Sequence, residues 1–286
     1  MKDYLNYNNA LCIVTGAASG IGKATAEILV DLGAAVYTLD VQSCDVPGIR
    51  QHIPVDLASK ASIDQAFAGL PDKIDKFFGV AGVFGFGLDL VTAFTINFIA
   101  NKYMTEQYVI PRLTEGEYGA IAYLSSVGGC RWAYHIDEYK DLVEAVTWDE
   151  MIAAIRAKPV EGKPGSAAYE LSKRCINYYM KTRAPELASK GNRMNTVAPH
   201  YTETPMLESI IANASSSGRR FAFDSKGAFE RLGKPEDAAK AIVFLNSDMA
   251  TYISGHILYE EGGMQAMIET GKMNVVMDHH TWAERS

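Results

Sequence analysis

Cysteine is scarce in this chain. Cys12, Cys44, Cys130 and Cys175 are scattered through 286 residues, with no C-x-x-C pair and no zinc-ligand spacing. A disulfide framework and a zinc module are therefore excluded, and reduced thiols are the plain reading. Basic runs are also missing. Lys and Arg number 27 against 34 Asp and Glu, for a net charge of −7 and a pI near 5.4, which argues against a nucleic-acid surface. No apolar run reaches the roughly 20 residues that a membrane-spanning helix needs. The first residues, MKDYLNYNNA, lack the apolar core of a signal peptide. No internal repeat is visible. The expectation is a soluble, cytoplasmic protein with neither a nucleic-acid nor a membrane partner. Its length suits one α/β domain with an insertion, able to bury about three quarters of its unfolded surface without staples.

What is there begins at Leu11. Leu11-Cys12-Ile13-Val14 is a short apolar run, suited to a strand buried on both faces. The turn Thr15-Gly16-Ala17-Ala18-Ser19-Gly20-Ile21-Gly22 follows, and Ala24, Ile28, Leu29 and Leu32 then recur at helical spacing up to Gly33. Strand, glycine turn and helix together place an anion on a helix N-terminus, where unpaired N–H groups and the helix dipole meet it. Gly16 permits the sharp turn, Gly20 lets the backbone approach a pyrophosphate, and Gly22 lets the helix pack against the strand. A second strand, Ala35 to Leu39, ends at Asp40, about 20 residues past the turn, where a carboxylate binds ribose hydroxyls.

Strand-like and helix-like runs then alternate, the signature of a parallel sheet covered on both faces. The strands are read at His52–Val55 ending at Asp56-Leu57, Lys76–Val80 closing on Ala81-Gly82, Gly119–Leu124 ending in Ser125-Ser126, Arg193–Val197, and Ile257–Tyr259. Ser59 is read as the cap of a helix. The segment from Val91 to Leu113 reads as one long helix with Asn97 inside it, an unfavourable place for Asn unless it has a task. Residues 130–165 break the periodicity and read as a helical insert. Tyr139, Leu142, Val143 and Val146 fit one short helix, and Thr147-x-x-Glu150 is a capping box that opens another with Met151, Ile152 and Ile155 inward. Pro159, Gly162, Pro164 and Gly165 are read as its end. Met206, Leu207, Ile210 and Ile211 give an amphipathic helix within a segment, about 202–230, that suits a lid over a substrate. Pro235 to Leu245 is the last core helix.

Tyr169 and Lys173 stand at i and i+4, on one face of one helix that follows the fifth strand. A phenol beside a lysine ammonium and a cationic nicotinamide is expected to titrate below its usual value near 10. It then gives a proton to a carbonyl as hydride arrives, or takes one from an alcohol as hydride leaves.

These residues together resemble the classical short-chain dehydrogenase/reductase family over residues 10 to about 265. T-G-A-A-S-G-I-G is similar to its glycine turn, and Ala81-Gly82 to the end of its N-N-A-G motif. Asn97, Ser126, Tyr169 and Lys173 match its catalytic tetrad, and Asn195 to Pro199 with Thr202-Glu203-Thr204 match its nicotinamide-side loop. The resemblance implies a Rossmann-type, doubly wound parallel sheet of seven strands. It implies Tyr169 as general acid/base, Lys173 lowering its pKa and binding the nicotinamide ribose, Ser126 bonding the substrate oxygen, and Asn97 holding a water in the proton relay. It also implies a cofactor site at Gly16, Ser19, Gly20, Ile21, Gly22, Asp40, Asp56, Leu57, Ala81, Gly82, Tyr169, Lys173, Pro199, Thr202 and Thr204, with no metal. NAD(H) is expected because of Asp40.

Three departures stand out. Val80 replaces the second Asn of N-N-A-G, removing a side chain that stabilises the sheet. His200 occupies a usual glycine position; its plain reading is a solvent-facing residue, the alternative an imidazole near the substrate. Tyr169 comes 43 positions after Ser126, and a long insert here is similar to those of the bacterial 3α-hydroxysteroid dehydrogenase/carbonyl reductase and coniferyl alcohol dehydrogenase branches. The expected activity is interconversion of a secondary alcohol and a ketone on a bulky apolar ring substrate. Hydroxysteroids or bile acids come first, with aryl or polyphenolic ketones of isoflavanone type, or aromatic alcohols, as the alternative. A non-catalytic NAD-sensing protein and an epimerase or dehydratase are the remoter classes. Trp132, Tyr134, Tyr139 and Trp148 of the insert are expected to wall the pocket together with the lid. A homodimer or homotetramer is expected, leaning to the dimer, because the insert could obstruct one family pairing surface.

Overall fold

The strands at Leu11–Thr15, Lys76–Gly79 and Ala120–Leu124 are buried on both sides, and the chain supplies the cover with alternating helices. The computed structural model describes residues 3–114, 116, 119–159, 164–213 and 226–272. In chain order the elements are β1 Leu11–Thr15, α1 Gly20–Asp31, β2 Ala35–Asp40, β3 Gln51–Pro54, α2 Lys60–Ala68 and β4 Lys76–Gly79. There follow a helical run over 90–112 (α3), β5 Ala120–Leu124, α4 Ile136–Glu144, α5 Trp148–Ala157, α6 Pro164–Ser189, β6 Arg193–Pro199, α7 Pro205–Asn213, α8 Pro235–Asn246, β7 Ile257–Glu260 and α9 Met264–Glu269. No helix among the described residues is long and apolar enough to cross a membrane.

The sheet is wholly parallel, in the order β3-β2-β1-β4-β5-β6-β7. Leu11 pairs with Ala35 on one side of β1, and Cys12 with Lys76 on the other. The order therefore reverses between β1 and β4. Crevices at the carboxyl ends of strands beside such a switch point are where open α/β sheets bind ligands. Alternation along the strands divides the core. Ile13, Phe77 and Ile121 face the layer of α2, α3 and α6, while Cys12, Val14, Phe78 and Ala122 face that of α1 and α8. The inner strands β1, β4 and β5 thus read as largely apolar runs because both of their faces are buried.

The run over 90–112 differs from the single regular helix expected. Two π-turns, Thr95–Ile99 and Thr105–Val109, interrupt the α-helical turns, and the end is a 3₁₀ turn at Ile110–Arg112. The first π-turn contains Asn97. Asp89 caps the run, its carboxylate accepting from the Thr92 amide at 2.9 Å. Ser59 caps α2 by accepting from the Ser62 amide.

The insert consists of α4, lying on α6, and α5, lying on α3. The capping box of α5 is complete, Thr147 accepting from the Glu150 amide and Glu150 from the Thr147 amide. Met151 and Ile155 are buried and Ile152 partly so. Val146 is not on α4; it stands in the link between the two helices, 73 % exposed. Residues 160–163 lie outside the described residues, including Gly162. Pro164 begins α6 rather than ending α5. Its ring fixes φ for a first helical position, where a missing N–H costs nothing. Residues 214–225 of the expected lid also lie outside the described residues.

A buried ammonium fastens the insert. Lys102, on α3 and 7 % exposed, donates to the Val143 carbonyl at 2.6 Å and to the Ala145 carbonyl. Burial holds its pKa below the usual lysine value. Lys102→Ala leaves both carbonyls without this donor, so it is expected to lower stability by about 1–3 kcal/mol. Chemical denaturation of both proteins checks this, and an unchanged midpoint at unchanged slope would contradict it.

Candidate active site

The site is assembled at the carboxyl ends of β1, β4, β5 and β6. Gly16 and Gly20 take left-handed φ of +72° and +54°, and the Gly16 amide donates to Leu39 at 2.9 Å. A Cβ on Gly22 would stand 2.0 Å from the Gly16 carbonyl oxygen, so α1 reaches β1 only with glycine there. Ser19 is the N-cap of α1 in extended conformation, and its side chain makes no capping bond. The first amides of α1 therefore lack that partner, the condition under which a helix end takes an anion. Asp40 ends β2. Its carboxylate accepts from the Ala18 amide and from the Gln42 amide, each at 3.0 Å, which fixes it against the glycine turn.

Two side chains shape the end of β4. Thr15 Oγ1 accepts from the amides of Val80 and Ala81 at 3.0 and 3.1 Å. Val80 is buried in the core on the α1 side. The strand end is thus held by Thr15, a residue the sequence reading passed over. Asn97 Oδ1 accepts from the Val83 amide at 2.8 Å and its Nδ2 donates to the Val83 carbonyl at 2.9 Å. Asn97 is fully buried, and its own carbonyl accepts from Asn101 Nδ2 at 2.9 Å. Its side chain therefore clamps the chain just beyond Gly82.

The reacting groups come from β5 and α6. Ser126 follows β5, and its Oγ accepts from the Gly128 amide at 3.1 Å. Lys173 is 2 % exposed. Its Nζ donates to the Leu124 carbonyl at 2.7 Å and lies 5.4 Å from the centroid of the Tyr169 ring. Burial pulls the Lys173 pKa down to about 7. In the protein alone the Tyr169 phenol is not lowered as expected. Burial pushes it above the usual value, and a hydrogen bond with Ser126 acts in the opposite sense. The expected lowering required a cationic nicotinamide, and the chain without it supplies mainly desolvation.

One cleft of about 730 Å³ joins these parts, within the usual range for small-molecule sites. Gly16, Ser19, Gly20, Ile21, Gly22, Asp40, Asp56 and Leu57 line it, as do Ala81, Gly82, Ser126, Tyr169, Lys173, Pro199, Thr202 and Thr204. Asn97, behind the wall, does not. The loop after β6 closes on the glycine turn, since a Cβ on Gly20 would lie 3.1 Å from Thr204 Cγ2. Thr204 Oγ1 in turn accepts from the Leu207 amide at 3.3 Å, which starts α7. The backbone approach at Gly20, the open helix end and the Asp40 carboxylate fit a dinucleotide. Among the described residues no cluster of three or more His, Cys, Asp or Glu is placed to hold a metal ion.

The far half of the cleft departs from expectation. None of the insert aromatics lines it. Tyr139 is buried and donates to the Trp132 carbonyl, Trp132 stacks on Tyr178, Trp148 packs edge-on to Tyr103, and Tyr134 is 81 % exposed. These side chains form the insert's own packing. The wall is made instead by Phe84, Phe86, Leu88 and Ile96 on one side and Met206, Leu207 and Ile210 on another. Phe84 to Leu88 were legible as an apolar, glycine-punctuated run directly after Gly82. His200 is not solvent-facing; it lines the cleft, and desolvation pulls its pKa down to about 4, leaving a neutral imidazole at neutral pH.

A dinucleotide cradle that shares one cleft with a serine, a tyrosine and a lysine defines an oxidoreductase of the nicotinamide-dependent class. Two family models match the chain, one described as short chain dehydrogenase over residues 10–140 and one as enoyl-(acyl carrier protein) reductase over residues 151–265. The chain belongs to the classical short-chain dehydrogenase/reductase family, oxidoreductases that act on alcohols and ketones with nicotinamide cofactors. A coniferyl-alcohol dehydrogenase of Pseudomonas sp. (strain HR199) is 28 % identical over 261 residues, covering 91 % of this chain and 98 % of that one. The crystal structure of the 3-alpha-hydroxysteroid dehydrogenase from Pseudomonas sp. B-0831, complexed with NADH, superposes with a TM-score of 0.74 at 22 % identity, covering 91 % of this chain and 99 % of that one. A putative 2-deoxy-D-gluconate 3-dehydrogenase from Agrobacterium tumefaciens with bound NADP gives 0.71 at 23 % identity, covering 93 % of this chain and all of that one. Both cofactors thus occur among its structural neighbours.

Proposed function

We propose that this chain interconverts a secondary alcohol and a ketone on a bulky, mostly apolar ring substrate, with NAD(H) as cofactor. The observation that carries the reading is that Ser126, Tyr169 and Lys173 stand in the same cleft as the glycine turn and Asp40. A bound nicotinamide supplies or accepts the hydride. Tyr169 holds the proton that passes to or from the substrate oxygen. Ser126 bonds to that oxygen and to Tyr169, and so aligns the two. Lys173 places positive charge near Tyr169 in a dry environment, where it favours the phenolate when an alcohol is oxidised. The apolar walls exclude water.

Hydroxysteroids, bile acids among them, are one substrate class, supported by the size and apolar lining of the cleft. Aryl ketones of isoflavanone type and aromatic alcohols are the second, favoured by the phenylalanines beside Tyr169 and supported by the relative named coniferyl-alcohol dehydrogenase. A substrate panel followed by NADH absorbance tests both. Bulky ring ketones are expected to give the higher kcat/KM, and a clear preference for acetone- or sugar-sized carbonyls would overturn the reading.

Asp40 is the residue that selects NAD(H). No Lys or Arg stands at Ala17, Ala18, Ser19 or Val41 to receive a 2′-phosphate. A phosphate about 4 Å from the carboxylate meets repulsion equivalent to about five- to several-hundred-fold in kcat/KM. Asp40→Ala is expected to narrow the gap, and equal kcat/KM for NADH and NADPH in the unaltered protein would contradict the assignment.

Of the homodimer and homotetramer, we infer the homodimer. Because α4 and α5 lie over α6 and α3, self-association falls to the free edge at β7, giving a homodimer. Light scattering on the eluting protein should return twice the chain mass, and a tetramer mass would contradict this.

A further inference from the structure

The geometry points to a flat, uncharged aromatic ring as the group that this cleft takes beside the reacting carbon. The inference deepens the reading of the cleft as an alcohol/ketone site and rests on it.

The loop between β4 and α3 places its aromatics against the reacting phenol. The Phe84 and Tyr169 ring centroids are 5.2 Å apart with planes 35° from parallel. Phe86 continues the wall, 4.8 Å from Phe84 at 33°. Both distances fall in the range at which aromatic rings attract one another. The three rings form one contiguous aromatic run from the phenol to the partly exposed Phe86. Phe86 and Leu88 are 38 % and 36 % exposed while lining the cleft. That apolar surface is left to water until a ligand covers it.

The platform is anchored at both ends. Asn97 holds Val83 by its amide and its carbonyl, so Phe84 starts from a fixed backbone. Asp89 closes the other end as the cap of α3. Gly85 and Gly87 between them adopt φ of +92° and +74°, a backbone that side chains with a Cβ resist. Phe86 is thereby presented from a tight turn, closed by the Leu88 amide donating to the Gly85 carbonyl at 3.1 Å.

Charge narrows the choice further. Among the described residues lining the cleft, Lys173 is the sole Lys or Arg, and it is committed to the Leu124 carbonyl. Glu170, next to Tyr169, also lines the cleft and is its acidic residue beside the phenol. Its partner Arg174, at 3.6 Å, is not part of the lining. A carboxylate or phosphate on the substrate would meet Glu170, with no Lys or Arg besides Lys173 among the described lining residues to answer it.

The test is calorimetric titration of the full chain, saturated with oxidised cofactor, with 2-tetralone and with 2-decalone. The two ketones share one carbon skeleton and an unconjugated carbonyl, and differ in whether the second ring is flat. A ketone with oxidised cofactor cannot turn over, so binding is read without catalysis. The unaltered protein is expected to bind 2-tetralone about two- to tenfold more tightly, the range for an aromatic pair beyond its buried area. In Phe84→Leu and Phe86→Leu the ratio is expected to fall towards one. A 2-tetralone carrying a carboxyl group on its aromatic ring is expected to bind less tightly than the parent, with Glu170→Gln reducing the difference. Equal or tighter binding of 2-decalone, or a preference that persists in both phenylalanine variants, would overturn the inference. Failure of the alcohol/ketone reading has a different signature: the binding preference is present, yet no ketone oxidises the reduced cofactor.

Discussion

The bond from Lys173 Nζ to the Leu124 carbonyl is the constraint on which the site depends. It joins α6 to the end of β5 at 2.7 Å inside a region that water does not reach. An ammonium there must be partnered, since an unsatisfied buried charge costs several kcal/mol or more, and the partner it finds fixes the height of α6 along the sheet. Tyr169, one turn earlier on the same face, is thereby set beside Ser126, which β5 itself delivers. The same burial that makes the bond necessary brings Lys173 down to about 7. That amine stands next to the Tyr169 phenol, to which we assign the proton transfer. Structure and chemistry here have one cause, the desolvation of a single amine.

Around that pair, the backbone of the cleft is held by side chains that do not line it. Thr15 takes the two amides at the end of β4, and Asn97 takes both groups of Val83. Between these fixings lie Ala81 and Gly82, which line the cleft, and from the second begins the phenylalanine platform. The π-turn at Thr95–Ile99 carries Asn97 in the middle of an otherwise helical run, the kind of irregularity that recurs at functional sites. One residue thus links the cofactor side of the cleft to its substrate side.

Much of this was legible in the sequence. The strands could be read because burial on both faces leaves nearly pure apolar runs, and the glycine turn because a close approach such as that of Gly22 to Gly16 admits no other residue. Tyr169 and Lys173 were visible as an i, i+4 pair whose position after the fifth strand gave it meaning. What escaped depended on tertiary partners. Trp132, Tyr139 and Trp148 look the same in sequence whether they wall a pocket or pack an insert, and the outcome was decided by α6 and α3 beneath them. Val146 matched a helical period but lies beyond the end of α4, where the capping box that opens at the next residue, Thr147, had already claimed the chain. His200 gave no sign of burial, because its surroundings come from segments remote in sequence.

The central claim is that Tyr169 moves the proton while the cleft aligns hydride and carbon. It is tested most directly by single-turnover mixing of the NADH-loaded protein with a ring ketone, for the unaltered chain and for Tyr169→Phe. The account predicts unchanged NADH binding and a fall in the hydride-transfer rate of about 10²–10⁴. A Tyr169→Phe protein that transfers hydride within a few fold of the unaltered rate would contradict it.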